Sequence, residues 1–293
     1  MDNKKMLERY RVSKGEKFKL SDIDPNDTFG LDLPKKEAKA QLEDIVKDIS
    51  KMQEMLYAHD QWSVLVILQA MDAAGKDSVI EHVMSGINPQ GCQVHSFKAP
   101  TSTELEHDFL WRTTIALPER GRIGVFNRSY YEEVLVVRVH PEILGKQRLP
   151  PKLIGKDIWQ ERFEDIRAFE QHMARNGTVV LKFFLHVSKE EQKKRFLDRI
   201  DEPEKEWKFN AGDIEERKLW DKYMHAYEDM IRNTSADHAP WFVVPADHKW
   251  FTRLVVASAI KEAMASLKLE FPKIDADARD AMKKARDALT SEK

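Results

Sequence analysis

Glycine is scarce, with 11 in 293 residues. That is about half of what a usage near 7% would give, and it argues against a hairpin-rich all-β fold and for a chain with many helices. Cysteine is scarcer still. Cys92 stands alone, which excludes an intramolecular disulfide, a Cys-rich zinc site and a CxxC redox pair, and fits a reducing compartment. No apolar run approaches the roughly 18 residues of a membrane span, and Met1 to Tyr10 (MDNKKMLERY) has no apolar core of a secretory signal. The expected location is the cytoplasm, with no membrane partner, and Asn233-Thr234-Ser235 is then a chance glycosylation pattern. Net charge is nearly absent too. At −2 it supplies no global attraction to nucleic acid, so a polyanion would need a local basic groove.

What is present is 42% hydrophobic and 33% charged residues, enough for a sizeable core under a charged surface. Residues 1–34 mix charges with Pro25 and Pro34, show no clear period and read as an irregular arm. From Lys35 to Ala58, apolar residues recur at helical spacing (Ala38, Leu42, Ile45, Ile49, Met52, Leu56), giving one amphipathic helix that covers a sheet. Trp62 to Leu68 (WSVLVIL) has the pattern of a strand buried on both faces. Further strands are expected at Gln93–Phe97, Ile123–Phe126, Val179–Val187 and Trp241–Val244, with helices between them. This alternation implies a five-stranded parallel sheet with ligands at the carboxyl ends of its strands. Ser188 and Glu191 form a capping box opening a helix to about Ile200, and further helices are expected at Asp213–Asn233, Phe251–Lys268 and Asp275–Lys293. The expected division is an arm and helix over 1–55, a core over 56–270 with a lid at about 188–235, and a charged C-terminal helix over 271–293 that faces solvent or a partner.

The strongest chemical signal follows the first strand. Gln69-Ala70-Met71-Asp72-Ala73-Ala74-Gly75-Lys76-Asp77-Ser78 leads into an apolar helical stretch. A strand, a small-residue loop, Gly-Lys and a helix start supply what a phosphate cradle needs: close backbone N–H groups, a positive helix end and a lysine charge. Against G-x-x-x-x-G-K-[ST], Ala70 replaces the first glycine and Asp77 the final hydroxyl. Asp72 inside the loop would repel phosphate unless it held a cation, and so offers a route to magnesium. The alternative is that Asp72 and Asp77 merely complement a helix N-terminus, worth about 0.3–1 kcal/mol each. Another strand runs out into Asn127-Arg128-Ser129-Tyr130-Tyr131-Glu132, where a carboxylate that binds magnesium would stand, yet the first polar residue is the neutral Asn127. Arg128 has no acidic partner adjacent to it, and its planar fork suits phosphate oxygens or else a structural ion pair.

These segments resemble the second family of polyphosphate kinases, the polyphosphate:nucleotide phosphotransferases. The likeness includes Ala70 to Asp77 as Walker A and Asn127 to Glu132 as the Walker B region, with Asn88-Pro89-Gln90-Gly91, Phe97-Lys98-Ala99-Pro100 and Trp111-Arg112 between them. It continues through Glu191 to Ile200, Trp207-Lys208-Phe209, Ala226-Tyr227-Glu228 and Ala239-Pro240-Trp241, covering about Leu56 to Lys268. The resemblance implies a P-loop kinase-like, three-layer α/β/α fold with a helical lid. It also implies Mg2+-dependent (or Mn2+-dependent), reversible phosphoryl transfer from inorganic polyphosphate to purine nucleotides: AMP, ADP, GMP or GDP. On it, Asp72, Lys76, Arg128, Glu132, Arg195 and Arg199 fall in catalytic positions, and Asp72, Asn127 and Glu132 near metal. Ala73, Ala74, Gly75, Lys76, Asp77, Ser78, Lys98, Arg112 and Lys208 fall in substrate-binding positions. An acidic residue at the position of Glu132 resembles the subgroup accepting both mono- and diphosphates. A homo-oligomer, dimer or tetramer, is expected, and no nucleic-acid partner.

Arg195 and Arg199 lie four apart on one face of the expected lid helix, placed to meet one anion. Positive charge closing over a transferring phosphoryl group also excludes water. The alternative pairs them with Glu191, Asp198 or Glu202 on a solvated helix. No covalent nucleophile is needed, because the acceptor phosphate is already anionic, so His82, His95, His107 and His140 are read as structural or surface residues rather than general bases. An ATP-dependent nucleotide kinase, or a non-catalytic polyphosphate- or polyanion-binding module, are the competing readings.

Overall fold

A computed structural model describes residues 3–292; Met1, Asp2 and Lys293, the ends of the expected arm and C-terminal helix, lie outside the described residues. The helices are α1 (Asn3–Tyr10), α2 (Lys35–His59), α3 (Lys76–Val83), α4 (Trp111–Thr114), α5 (Val136–Val139), α6 (Ile158–Arg175), α7 (Lys189–Asp201), α8 (Ala211–Lys218), α9 (Trp220–Thr234), α10 (Lys249–Ser266) and α11 (Ala276–Ser291). The strands are β1 (Arg11–Val12), β2 (Ser63–Ala70), β3 (Cys92–Ser96), β4 (Ile123–Asn127), β5 (Thr178–His186) and β6 (Trp241–Pro245), in the sheet order β1-β6-β5-β2-β4-β3. Five strands run parallel, and β1 adds a sixth, antiparallel to β6. The expected parallel sheet is therefore correct for five strands, and the arm supplies one more.

Strand β2 is buried at all eight positions because it lies between β4 and β5 under helices on both faces. Helices α2, α3 and α10 cover one face, while α6 and α9 cover the other, giving three layers. The register pairs Leu68 with Asn127 and Ala70 with Leu185, so the loops after β2, β4 and β5 leave the sheet side by side. All the chemistry described below hangs from that edge.

Residues 1–34 are not an irregular arm throughout. Helix α1 buries Met6, Leu7 and Tyr10, and the Tyr10 ring meets Phe251 of α10 edge-on at 5.8 Å. Three apolar residues on an eight-residue charged helix leave little periodicity to read, so only the tertiary contact reveals it. The expected helix 213–233 is broken at Leu219 into α8 and α9. The expected C-terminal helix forms as α11 and buries none of its residues in the chain's own core.

At the end of β5, His186 is 8% exposed and its Nδ1 has no hydrogen-bond partner. Burial pushes its pKa down to about 4, with Asp24 only partly opposing. A base with a depressed folded-state pKa contributes stability above its unfolded value near 6.5, and that contribution is lost as pH falls towards 4. The loss amounts to about 3 kcal/mol. Thermal unfolding of His186→Phe against pH should therefore be visibly flatter between those values than that of the parent; equal slopes would remove His186 from the acid response.

Candidate active site

Between β2 and α3 the chain turns through Ala73 at φ 60° and Gly75 at φ 111°. The second value is one that L side chains rarely adopt, which is why glycine stands there. No side chain caps α3, so its first-turn N–H groups remain available beside the cavity lined by Gly75, Lys76, Asp77 and Ser78. Lys76 Nζ donates to the Ala70 carbonyl at 2.9 Å and sits in the loop it would share with a phosphate. Desolvation lowers its pKa, with Asp72, Glu132 and Asp77 among the charges opposing that shift.

The turn after β4 holds Arg128 at φ 64°, a left-handed conformation that costs a non-glycine residue about 1–2 kcal/mol. Its backbone N–H donates to the Leu68 carbonyl at 3.0 Å, and Nη2 donates to Asp72 Oδ1 at 3.0 Å. The absence of a neighbouring acid was no guide, since the partner comes from the loop 56 residues earlier. Glu132 Oε2 lies 3.9 Å from Arg128 Nη1, and the carboxylate is 15% exposed. The Gln69 amide orientation that satisfies both neighbours puts its nitrogen 2.9 Å from Glu132 Oε1 and its oxygen 3.1 Å from the Ser129 N–H. Burial raises the pKa of Glu132, against the pull of Arg128 and Lys76.

Helix α7 begins with Ser188 accepting from the Glu191 N–H at 3.0 Å, as its sequence requires. Arg195 is 5% exposed, and every guanidinium nitrogen is used. Nε donates to Glu191 at 2.9 Å, Nη1 to the Ala73 and Ala74 carbonyls at 3.0 and 2.8 Å, and Nη2 to the Ala246 and Asp247 carbonyls at 2.7 and 3.0 Å. Gln192 Nε2 donates to the Asp72 carbonyl at 2.9 Å. The first half of the expected lid helix is thus fastened to the phosphate loop. Arg199, one turn on, faces the cavity and donates to Asp213 of α8 at 3.2 Å. The two arginines share a cavity wall but not an environment: Arg195 is buried with five hydrogen bonds, whereas Arg199 is 20% exposed and makes one, to Asp213. Arg195→Ala should lower stability by about 2–4 kcal/mol through the unmet carbonyls, whereas Arg199→Ala should leave thermal unfolding almost unchanged and reduce turnover. The reverse pattern would contradict this division.

Two cavities meet at the Asp72–Arg128 pair. The larger, about 680 Å³, is lined by eight Lys and Arg side chains against three carboxylates. Lys98 enters it from the loop after β3, Lys205 and Lys208 from the segment after α7, and Lys249 from the start of α10. Burial together with Arg195, Lys205 and Arg253 holds the Lys249 pKa down, a strain that a bound polyanion would relieve. The smaller cavity, about 320 Å³, is acidic and aromatic, with Glu132, Asp213 and Glu216 facing Tyr223 and Tyr227. Asp72 and Arg128 line both.

Not all the expected site residues converge. Arg112 is 7% exposed, donates to the Lys98 carbonyl at 2.7 Å and lines a separate small cavity, so it supports the Lys98 loop from behind. Ala74, within the loop, is buried and does not line the cavity. Of the three expected metal positions, Asn127 donates to Asp77 Oδ1 at 2.7 Å and lines the larger cavity, Glu132 lines the smaller, and Asp72 lines both. No group of three His, Cys, Asp or Glu side chains suited to a metal occurs among the described residues. Magnesium is commonly held by one or two carboxylates, substrate phosphates and water. Asp72, which lines the cationic cavity together with Lys76, fits that pattern. Of the four histidines, none lines either of these two cavities: His82, which borders a separate cavity of about 410 Å³, donates from Nδ1 to the Ser78 carbonyl at 2.9 Å, and His107 stacks on Trp111 at 4.0 Å. Lys205, Lys249 and Asp213 were missed, although Lys249 follows the carboxyl end of β6, where parallel sheets place ligands.

The Polyphosphate kinase 2 (PPK2) family model matches residues 32–272. An ADP-polyphosphate phosphotransferase of Rhodopseudomonas palustris is 54% identical over 96% of this chain and 97% of its own length. An AMP/ADP-polyphosphate phosphotransferase of Meiothermus ruber is 44% identical, over 91% and 96%. The crystal structure of Polyphosphate Kinase 2 from Arthrobacter aurescens TC1 superposes with a TM-score of 0.85 at 39% identity, covering 96% of each chain. The similarity in sequence and fold therefore runs along nearly the whole length, and the chain belongs to the polyphosphate kinase 2 family.

Proposed function

We propose that this chain transfers the terminal phosphoryl group of inorganic polyphosphate to AMP and ADP, with the donor in the cationic cavity and the acceptor in the tyrosine-lined one. The observation that carries this reading is the junction: two cavities of opposite character share Asp72 and Arg128. A polyphosphate chain carries about one charge per phosphate and needs a row of cations, which Lys76, Lys98, Lys208 and Lys249 supply. A nucleoside offers an aromatic base to Tyr223 and Tyr227, and hydroxyl and amino donors to Asp213 and Glu216.

An acceptor phosphate oxygen attacks the terminal phosphorus, one P–O bond forms, the P–O bond to the next phosphate breaks, and a shortened polyphosphate leaves. Arg128 and Lys76 stabilise charge on the transferring group, Arg199 adds a cation from the wall, and the fastened loop keeps the donor aligned. Mg2+, or Mn2+, held by Asp72 and the phosphates would neutralise further charge on the donor. Guanine nucleotides as acceptors, a homo-oligomeric assembly and a cytoplasmic location belong to the same reading. Incubation of purified protein with Mg2+, AMP or ADP and either polyphosphate or ATP as donor tests it. Product formation with polyphosphate is expected, and transfer to AMP from ATP alone would favour an ordinary nucleotide kinase.

A further inference from the structure

Behind the Walker B turn lies a polar network with no access to either cavity. Lys182 of β5 is 0% exposed and Glu170 of α6 is 1% exposed, in a chain whose other central-strand positions are almost all apolar. Lys182 Nζ donates to Glu170 Oε2 at 2.6 Å, to the Thr234 carbonyl at 2.7 Å and to Tyr131 Oη at 3.0 Å. Tyr130 and Tyr131 both donate to Glu170 Oε1, at 2.8 and 2.7 Å. All three ammonium protons and both carboxylate oxygens are satisfied, so the network is closed. Trp241 donates to Thr234 Oγ1 at 2.9 Å and fixes the same corner to β6.

Two of the elements joined in this way border the smaller cavity: the turn that carries Arg128 and Glu132, and helix α9. Tyr130 and Tyr131 sit between Arg128 and Glu132, and Thr234 ends α9, which carries Tyr223 and Tyr227. Arg128 is held in a left-handed conformation, which persists only where its surroundings over-determine it. An isolated buried ion pair is weak evidence for stability, since well-packed apolar residues often serve as well. What apolar residues cannot do is tie β5, α6, the turn after β4 and α9 together at fixed hydrogen-bond length.

We propose that Lys182 and Glu170 are positioning residues for phosphoryl transfer, locking the turn that carries Arg128 and Glu132 to the end of α9 and so setting the gap between them and the Tyr223–Tyr227 wall. The inference rests on the acceptor lying in that gap. AMP, shorter by one phosphate, depends more on the gap than ADP does, so the network bears on acceptor choice as well as on rate.

The test is the apolar double variant Lys182→Met/Glu170→Leu, assayed with polyphosphate against AMP and ADP and followed by thermal unfolding. Each single variant should melt well below the parent, because it buries an unpaired charge, and the double should recover most of that loss. With stability recovered, kcat on AMP should still fall on the order of tenfold to a hundredfold, with a smaller loss on ADP and little change in the KM for polyphosphate. A double variant with parental melting and parental kcat on both acceptors overturns the proposal and leaves the pair purely structural. Should the double variant not fold, Tyr131→Phe removes a single hydroxyl of the network. A lower AMP-to-ADP ratio of kcat then supports the proposal, and an unchanged ratio refutes it. The parent is measured first: failure to use either acceptor would refute the acceptor assignment itself, and the inference with it.

Discussion

Lys76→Ala should reduce polyphosphate-dependent transfer on the order of a hundredfold to a thousandfold, the usual cost of removing one preorganised charge from a transferring group. Asp72→Asn should do at least as much, because it removes the carboxylate fitted for magnesium and also releases Arg128, whose Nη2 lies 3.0 Å from Asp72 Oδ1. Neither side chain belongs to the apolar core; the Asp72, Ala73 and Ala74 carbonyls stay bound to Gln192 and Arg195 in both variants, and Lys76→Ala releases mainly the Ala70 carbonyl at the end of β2. Far-ultraviolet circular dichroism and melting temperature should therefore stay close to the parent while turnover collapses. If either variant kept near-parental turnover with saturating Mg2+, the loop would not be the donor cradle.

Glu132→Asn should depress phosphorylation of AMP strongly, by about tenfold or more in kcat/KM, and spare that of ADP. Glu132 borders the tyrosine-lined cavity beside Arg128, and on the proposed placement of the acceptor a monophosphate leaves room there that the extra phosphate of ADP would occupy. A carboxylate there can hold a metal-bound water or second ion across the gap. The pH dependence gives an independent reading. Burial raises the Glu132 pKa above the ordinary glutamate value of 4.5, so the charged form is lost at a higher pH than for a free side chain. As pH falls through that raised value, transfer to AMP should decline before transfer to ADP, and Glu132→Asn should abolish the difference. Equal losses on both acceptors, with a shared pH profile, would make Glu132 a general structural or metal residue.

The sheet was readable from sequence because β-branched runs such as SVLVILQA fit a doubly covered strand, and their ends fell within about two residues of expectation. The phosphate loop was readable because Gly-Lys at a strand-to-helix junction has few other uses. Contacts between distant segments were not readable. Arg128 meets Asp72 across 56 residues, and Lys182 meets Glu170 from a strand onto a helix, with no local pattern announcing either pair. Arg195 and Arg199 look equivalent on a helical wheel, yet the wheel cannot tell that the phosphate-loop carbonyls pass beneath only the first. The opposite character of the two cavities is likewise a property of assembled elements. Between Lys182 and Lys208 eight basic residues stand against seven acidic ones, yet the fold brings Arg195, Arg199, Lys205 and Lys208 of that stretch to the cationic cavity with Asp198 alone among its acids, while the carboxylates of the other cavity come from outside it.

The central claim is that donor and acceptor occupy separate cavities joined at Asp72 and Arg128. A crystal structure with AMP and a non-hydrolysable polyphosphate analogue in the presence of Mg2+ measures this directly. The phosphate chain is predicted to run past Lys76, Lys98, Lys208 and Lys249, with the base of AMP beside Tyr223 and Tyr227 and its phosphate at Arg128. Polyphosphate in the tyrosine-lined cavity, or both ligands in the cationic one, would contradict the account.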